Sequence, residues 1–337
     1  MDLQIIWFIL IAVLFTGFFV LEGFDYGVGA LVPFLSKDDK DRSQIIRTIT
    51  PVWDGNEVWM ITAGGALFAS FPHVYSTMFA TFYLALFLML FALILRGVAF
   101  EFRGRRESLA WRHFWEGCIV FGSVVPAILW GIAVTDLIDG LPINGDKIYT
   151  GGFFDLLSLY SIIGGLAFLF VFLYHGASFL TIRLADTRLV EYARSAGKKI
   201  GVLAVIFYVL CMIFTAMDTD LYASVLGTVM LFAAAVVFVL SNILLRTGNS
   251  KSSFIFSILA IAFTTVGFFA GLFPRLMVSS LDPAYSLTIT NASSSPYTLS
   301  VMTIVACIFV PIVLIYQIWA YYIFRHRVTQ QDANEEY

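Results

Sequence analysis

The sequence predicts an all-α integral membrane protein of nine transmembrane helices, with the N-terminus outside and the C-terminus in the cytoplasm. Three observations lead there. Of 337 residues, 60% are hydrophobic and 13% charged, whereas roughly a quarter of a soluble domain is charged. Nine apolar stretches reach the length of about 20 residues that a helix needs to cross a bilayer. Seventeen of the twenty Lys and Arg residues fall into alternate gaps between those stretches.

The stretches cover residues 5–34, 51–71, 77–100, 115–138, 158–182, 199–217, 223–245, 254–274 and 299–324. The first follows only Asp2, with no basic segment and no small-residue cleavage site, so it reads as a retained helix and not as a signal peptide. The gap after it holds Lys37, Lys40, Arg42 and Arg47. The second opens on Pro51, which a first helical turn tolerates. The gap after the third holds Arg103, Arg105, Arg106 and Arg112, and the gap after the fifth holds Arg183, Arg188, Arg194, Lys198 and Lys199. Arg246 and Lys251 follow the seventh, and Arg325 and Arg327 follow the ninth. The other set of gaps holds only Lys147 and Arg275. Cytoplasmic loops collect cations, so this alternation sets the orientation and tests the count independently of hydropathy.

The spans divide as 1–140, a first four-helix bundle; 141–250, helices five to seven; and 251–337, helices eight and nine with a short polar cytoplasmic tail, all within one membrane domain. Internal duplication is faint. The outer segments 139–157 and 276–298 are rich in Gly, Ser, Asn and Asp and read as connectors. Cys118, Cys211 and Cys307 all lie in apolar spans without CxxC spacing and read as packing residues. Most tryptophans read as an interfacial belt; Trp59 stands well inside a span. The positive charge is committed to orientation and does not point to nucleic acid.

Chemistry must come from polar groups inside the spans, where an ionised side chain costs at least about 2.5–3.5 kcal/mol. Span one carries Glu22 and Asp25, three residues apart and therefore on one helical face. Span two carries Asp54 and Glu57 at the same spacing, and span three carries Arg96. At 1.5 Å per residue, Asp25 lies roughly 18 Å from the nearest loop cation, Glu57 roughly 15 Å, and Asp54 and Arg96 roughly 10 Å each. All fall in the cytoplasmic half, on three successive helices. Carboxylates in excess of cations are met by protonation or by water, which suits a proton relay. Asp25, Asp54 and Glu57 are read as relay groups, and Glu22 stands between relay and structural ion pair. Arg96 orients and neutralises a carboxylate, since guanidinium does not release its proton. His175 is the one histidine within a span and reads as a hydrogen-bonded bundle residue. Haem and metal sites in bundles need several converging ligands, and no second one accompanies it.

The set Gly23-Phe-Asp25-Tyr-Gly-Val-Gly29, Pro51-Val-Trp-Asp54-Gly-Asn-Glu57-Val-Trp59, Thr62-Ala-Gly-Gly-Ala-Leu-Phe-Ala69 and Arg96-Gly-Val-Ala-Phe-Glu101-Phe-Arg103 resembles subunit II of the cytochrome bd quinol oxidases over nearly the whole chain. The resemblance implies two four-helix bundles plus one helix, pseudo-symmetric with subunit I. It also implies a division of labour. Subunit I carries two b-type haems, a d-type haem and the quinol site and reduces dioxygen to water, while subunit II ligates no haem. The family's proton path from the cytoplasm maps onto Asp25, Asp54, Arg96 and Glu101, and its oxygen route begins near Trp59. Glu57 and Glu101 vary in type within the family. Partners implied are the haem-bearing subunit I, membrane lipid, quinol and dioxygen, with a small third subunit and a structural quinone in some members. The competing readings are a proton-coupled secondary transporter, for which Gly23–Gly29 and Gly64-Gly65 would be helix breaks, and a purely structural subunit. A haem-bearing partner that co-purifies separates oxidase from transporter.

Overall fold

The structure, a computed structural model, describes residues 2–332; the end of the polar tail, 333–337, lies outside the described residues. The chain opens on α1 (Leu3–Leu35), whose first turn is capped by Asp2 accepting from the Gln4 N–H at 3.1 Å. A short α2 (Asp39–Arg47) follows, capped by Asp38. Next come α3 (Trp53–Ser70), α4 (Pro72–Thr81), α5 (Tyr83–Phe102) and α6 (Leu109–Asp139). The second half holds α7 (Leu159–Arg183), α8 (Thr187–Asp218), α9 (Val225–Arg246), α10 (Ser250–Leu272) and α11 (Pro296–Ile323). Eight of these helices, α1 and α5 to α11, are long and apolar enough to cross a membrane.

The difference from the nine expected spans lies at 51–71. There α3 is a helix of 18 residues, about 27 Å long, whose apolar run is shortened by Asp54, Asn56 and Glu57 in its first two turns. The expected third span also begins differently. Pro72 starts a new helix directly after Phe71, because its ring and missing N–H suit the first turn but not a helix interior. The chain bends again at Phe82 before α5. The break at Phe71 coincides with the expected end of the second stretch, whereas the bend at Phe82 lies inside the apolar run of the third, which is why hydropathy does not register it.

Two helices extend past their apolar stretches. α8 begins twelve residues before the expected start, with the Asp186 carboxylate accepting from the backbone N–H groups of Arg188 and Leu189. α6 likewise begins at Leu109, six residues early. Charged turns continue these helices into water, where a hydropathy window cannot see them.

The segments 139–157 and 276–298 are more than connectors, since they fold against each other. β1 (Arg275–Met277) pairs antiparallel with β2 (Leu287–Thr288), and Leu141 and Val278 share a backbone hydrogen bond of 2.9 Å. Lys147 Nζ donates to the Asn291 carbonyl at 2.6 Å. Their apolar residues, Ile143, Met277 and Leu287 among them, pack with Trp7, Phe8 and Phe71 over the N-terminal end of α1. Trp7 and Trp130 are buried, and Trp130 meets Phe15, Phe18 and Phe19 edge-on in the core; the interfacial-belt reading fails for both. Cys118 and Cys211 are buried as expected, but Cys307 is exposed on α11 and packs nothing into the core.

α1 is the axis of the molecule, packing against α3, α6, α7 and α10. Its approach to α7 is backbone to backbone. A Cβ at Gly27 would stand 1.9 Å from the Phe172 carbonyl oxygen, and one at Gly176 would stand 2.5 Å from the Gly27 carbonyl carbon. Small residues at such crossings replace the hydrophobic force that lipid cannot supply with close van der Waals contact. The glycines of 23–29 therefore serve packing inside a continuous helix. Gly27→Val is expected to destabilise the fold by about 3 kcal/mol or more through overpacking, read as loss of monodisperse protein on size exclusion in detergent and a lowered Tm.

Candidate functional site

Four helices bring polar side chains to one buried cluster. On α1, Glu22, Asp25 and Tyr26 share a face because they are spaced i, i+3 and i+4, and none is more than 1% exposed. Arg96 enters from α5 and is 0% exposed. Its approach depends on Gly122 of α6, where a Cβ would lie 2.4 Å from the Arg96 Cβ and 2.5 Å from the Ala92 carbonyl oxygen. α3 adds Asn56 and Glu57, and α11 adds Tyr321.

The guanidinium is the hub. Arg96 Nη1 donates to Glu22 Oε1 and, at 3.3 Å, to Glu57 Oε1. Its central carbon lies 4.9 Å from the Tyr26 ring centroid and 5.6 Å from that of Phe100, so aromatic faces hold it on the sides that carry no carboxylate. A second chain of bonds runs beside it. Tyr321 OH donates to Asn56 Oδ1 at 2.7 Å, and Asn56 Nδ2 donates to Asp25 Oδ2 at 2.6 Å. One turn along α3, Trp59 Nε1 donates to Gln317 Oε1 at 2.7 Å, and its ring lies where a Cβ on Gly17 would be, 2.2 Å away.

Several polar atoms of the cluster find no protein partner: Glu22 Oε2, Asp25 Oδ1, Tyr26 OH, and Nε and Nη2 of Arg96. Buried polar groups of this kind are ordinarily bonded to ordered water. Three carboxyls, of Glu22, Asp25 and Glu57, stand with one fixed cation here. Donors, acceptors and exchangeable protons within one pocket are what a relay requires.

The expected site residues divide. Asp25, Glu57 and Arg96 converge, and Glu22, left open between two roles, is a direct partner of Arg96. Asp54 lies in the first turn of α3, one turn before Glu57, and is exposed. Glu101 is also exposed. Five residues beyond Arg96 it points about 140° away around α5, and no bond joins it to the cluster among the described residues. Asn56, Tyr321 and Gln317 were missed. They are neutral, and reading the spans for charge alone passes over them; the visible signal is two polar groups four apart, Gln317 and Tyr321, in the apolar run of α11.

His175 forms a separate centre. Its Nε2 bonds the Val20 carbonyl at 3.0 Å and its Nδ1 bonds Ser257 Oγ at 2.7 Å. A carbonyl only accepts, so Nε2 carries the proton and Nδ1 accepts. Both nitrogens are thus engaged in helix packing, α7 to α1 and α7 to α10. Among the described residues no three of His, Cys, Asp and Glu converge as metal ligands.

Residues 3–324 match the family described as cytochrome bd terminal oxidase subunit II. The chain belongs to that family. It is 40% identical to the cytochrome bd ubiquinol oxidase subunit 2 of Bacillus subtilis (strain 168), over 98% of each chain. It is 35% identical to the cytochrome bd-I ubiquinol oxidase subunit 2 of Escherichia coli (strain K12), over 98% of this chain and 96% of that one. In fold it is similar to a chain of the bd oxidase from Geobacillus thermodenitrificans, with a TM-score of 0.73, 18% identity, and coverage of 96% and 97%. All four helices that build the cluster lie within the family match. As a member of the subunit II family with eight apolar spanning helices, the chain is a multi-pass protein of the bacterial plasma membrane.

The pairing of Arg96 has a measurable consequence. Arg96→Leu leaves Glu22 buried and unpaired, which is expected to cost about 3–5 kcal/mol. Adding Glu22→Leu to that variant is expected to return part of the loss. Thermal unfolding in detergent checks this, and strictly additive losses in the double variant contradict the pairing.

Proposed function

We propose that the chain is the haem-free subunit II of a bd-type quinol oxidase, and that its polar cluster is the proton-uptake path from the cytoplasm. The observation that carries this reading is a graded series of carboxyls leading inward. Asp54 is exposed at the start of α3, the Glu57 side chain is 15% exposed one turn later, and Glu22 and Asp25 are 0% exposed. A proton taken from water at Asp54 passes to Glu57, which shares Arg96 with Glu22. Asp25, three residues from Glu22, receives it, with Asn56 and Tyr321 holding its carboxyl in place. Arg96 keeps its own proton throughout and lowers the cost of a negative charge moving through the low-dielectric interior.

The complex in this reading pairs the chain with a haem-bearing subunit I, which holds the b-type and d-type haems. Those haems supply the electron transfer and dioxygen chemistry there. Quinol is oxidised with its protons leaving on the outside, dioxygen is reduced to water, and the protons for water come from the cytoplasm through this chain. Charge separation follows without pumping. The topology that fits has nine crossings, α3 being the second, arranged as two four-helix bundles plus α11, with the N-terminus outside and the C-terminus inside. Trp59, wedged against Gly17 and tied to α11, marks the start of an oxygen route. Glu101, exposed and turned from Arg96, belongs at most to the mouth of the path. A structural quinone and a small third subunit complete the assembly in the manner of some family members.

Asp25→Asn keeps the hydrogen bond to Asn56 sterically possible but removes the exchangeable proton. Quinol-dependent oxygen uptake is expected to fall roughly tenfold or more, about 1.4 kcal/mol of barrier, with the haem spectrum of the purified complex retained. Asp54→Asn, at the exposed mouth, is expected to slow uptake less. Unchanged turnover in both leaves the cluster as a scaffold only.

A further inference from the structure

At the N-terminal end of α6 the charges are arranged differently. Three guanidiniums, of Arg42, Arg103 and Arg112, share two carboxylates, Asp39 and Glu116. One positive charge is left over. It falls on Arg42, whose 3.4 Å approach to Glu116 is the loosest of the set. Arg42 Nε donates to Ser36 Oγ at 3.1 Å, and Nη1 lies 2.6 Å from His113 Nε2. Guanidinium only donates, so His113 Nε2 accepts and its Nδ1 carries the proton. Arg42 Nη2 and the His113 Nδ1–H are then two donors that no protein acceptor takes among the described residues.

Both stand at the head of an open trough, where Glu116, already held by Arg103 and Arg42, is the one carboxylate in the lining. Gly117, Val120, Phe121 and Val124 line it at i, i+3, i+4 and i+7 on α6, and Pro33 of α1 closes one side. The run is about 10 Å long. Gly117 forms the floor beneath the cations, and a Cβ there would meet nothing within 4 Å. A basic head joined to an apolar groove running into membrane depth matches one chemistry: a phosphodiester with an acyl chain.

We propose that this trough is a binding site for an anionic phospholipid, its phosphate held by Arg42 and His113 and one acyl chain lying along Val120, Phe121 and Val124. Surplus charge selects anionic over zwitterionic headgroups, as it does for basic clusters at membrane surfaces. The missing side chain at Gly117 admits the glycerol backbone. The bound lipid ties α2, α6 and the end of α1 together at the point where their ion pairs are unbalanced.

The test uses the full chain, purified with whatever subunits accompany it, in nanodiscs of equal phosphatidylglycerol and phosphatidylcholine, then released into detergent for native mass spectrometry. Wild type is expected to retain at least one phosphatidylglycerol per chain in preference to phosphatidylcholine. Arg42→Gln removes the surplus charge, and Gly117→Leu puts a side chain into the floor at a position where its Cβ meets nothing within 4 Å. Each is expected to lose one retained phosphatidylglycerol, with the Gly117→Leu variant keeping its Tm. The proposal is overturned if both variants retain the wild-type number, or if wild type holds the two lipids equally.

Discussion

A single guanidinium, buried where no water or headgroup reaches it from outside, governs how the first half of this molecule is put together. Arg96 is fully enclosed, and burying such a charge alone carries a penalty of several kcal/mol. The fold offsets that penalty by bringing Glu22 from α1 and Glu57 from α3 to one nitrogen, and the faces of Tyr26 and Phe100 to the flanks. Three helices are thereby held in one register. Gly122 lets α6 pass close enough to enclose the site, and Gly27 against Gly176 lets α7 support α1 from behind.

The same cluster shows why α11 matters although it is the most exposed of the spanning helices. It reaches the core through two polar contacts four residues apart, Gln317 to Trp59 and Tyr321 to Asn56. In a lipid environment apolar contact alone does not favour helix over lipid, so hydrogen bonds and small-residue contacts select the partner helix. α11 is docked by chemistry that also positions Asp25. Structure and the proposed proton path therefore rest on the same side chains, and substitutions that change their shape are expected to disturb both.

Much of this was legible beforehand. Long apolar runs and alternating cations marked where most helices lie, because bilayer thickness imposes the length and cytoplasmic charge imposes the order. Intramembrane carboxylates at i and i+3 pointed to Asp25 and Glu57, since only a shared protein-facing side tolerates them. The bend at Phe82 was hidden by composition that stays apolar through it, and the early starts of α6 and α8 by charged turns that hydropathy assigns to loops. Glu101 illustrates a different limit: nearness in sequence to Arg96 says nothing of the side of the helix it occupies until the 100° step per residue is counted.

The sequence by itself determined the membrane class, the approximate helix positions and the membership of the acidic groups in one region, because these follow from solvent cost, residue by residue. Only the tertiary structure decided which carboxylate meets Arg96, that Asn56 and Tyr321 extend the network, and that the segments 139–157 and 276–298 close over the N-terminal end of α1. Those outcomes depend on which helix faces approach one another. That is set by contacts such as Gly27 with Gly176 and Gly122 with Arg96, between residues far apart in the chain, and no local pattern encodes them.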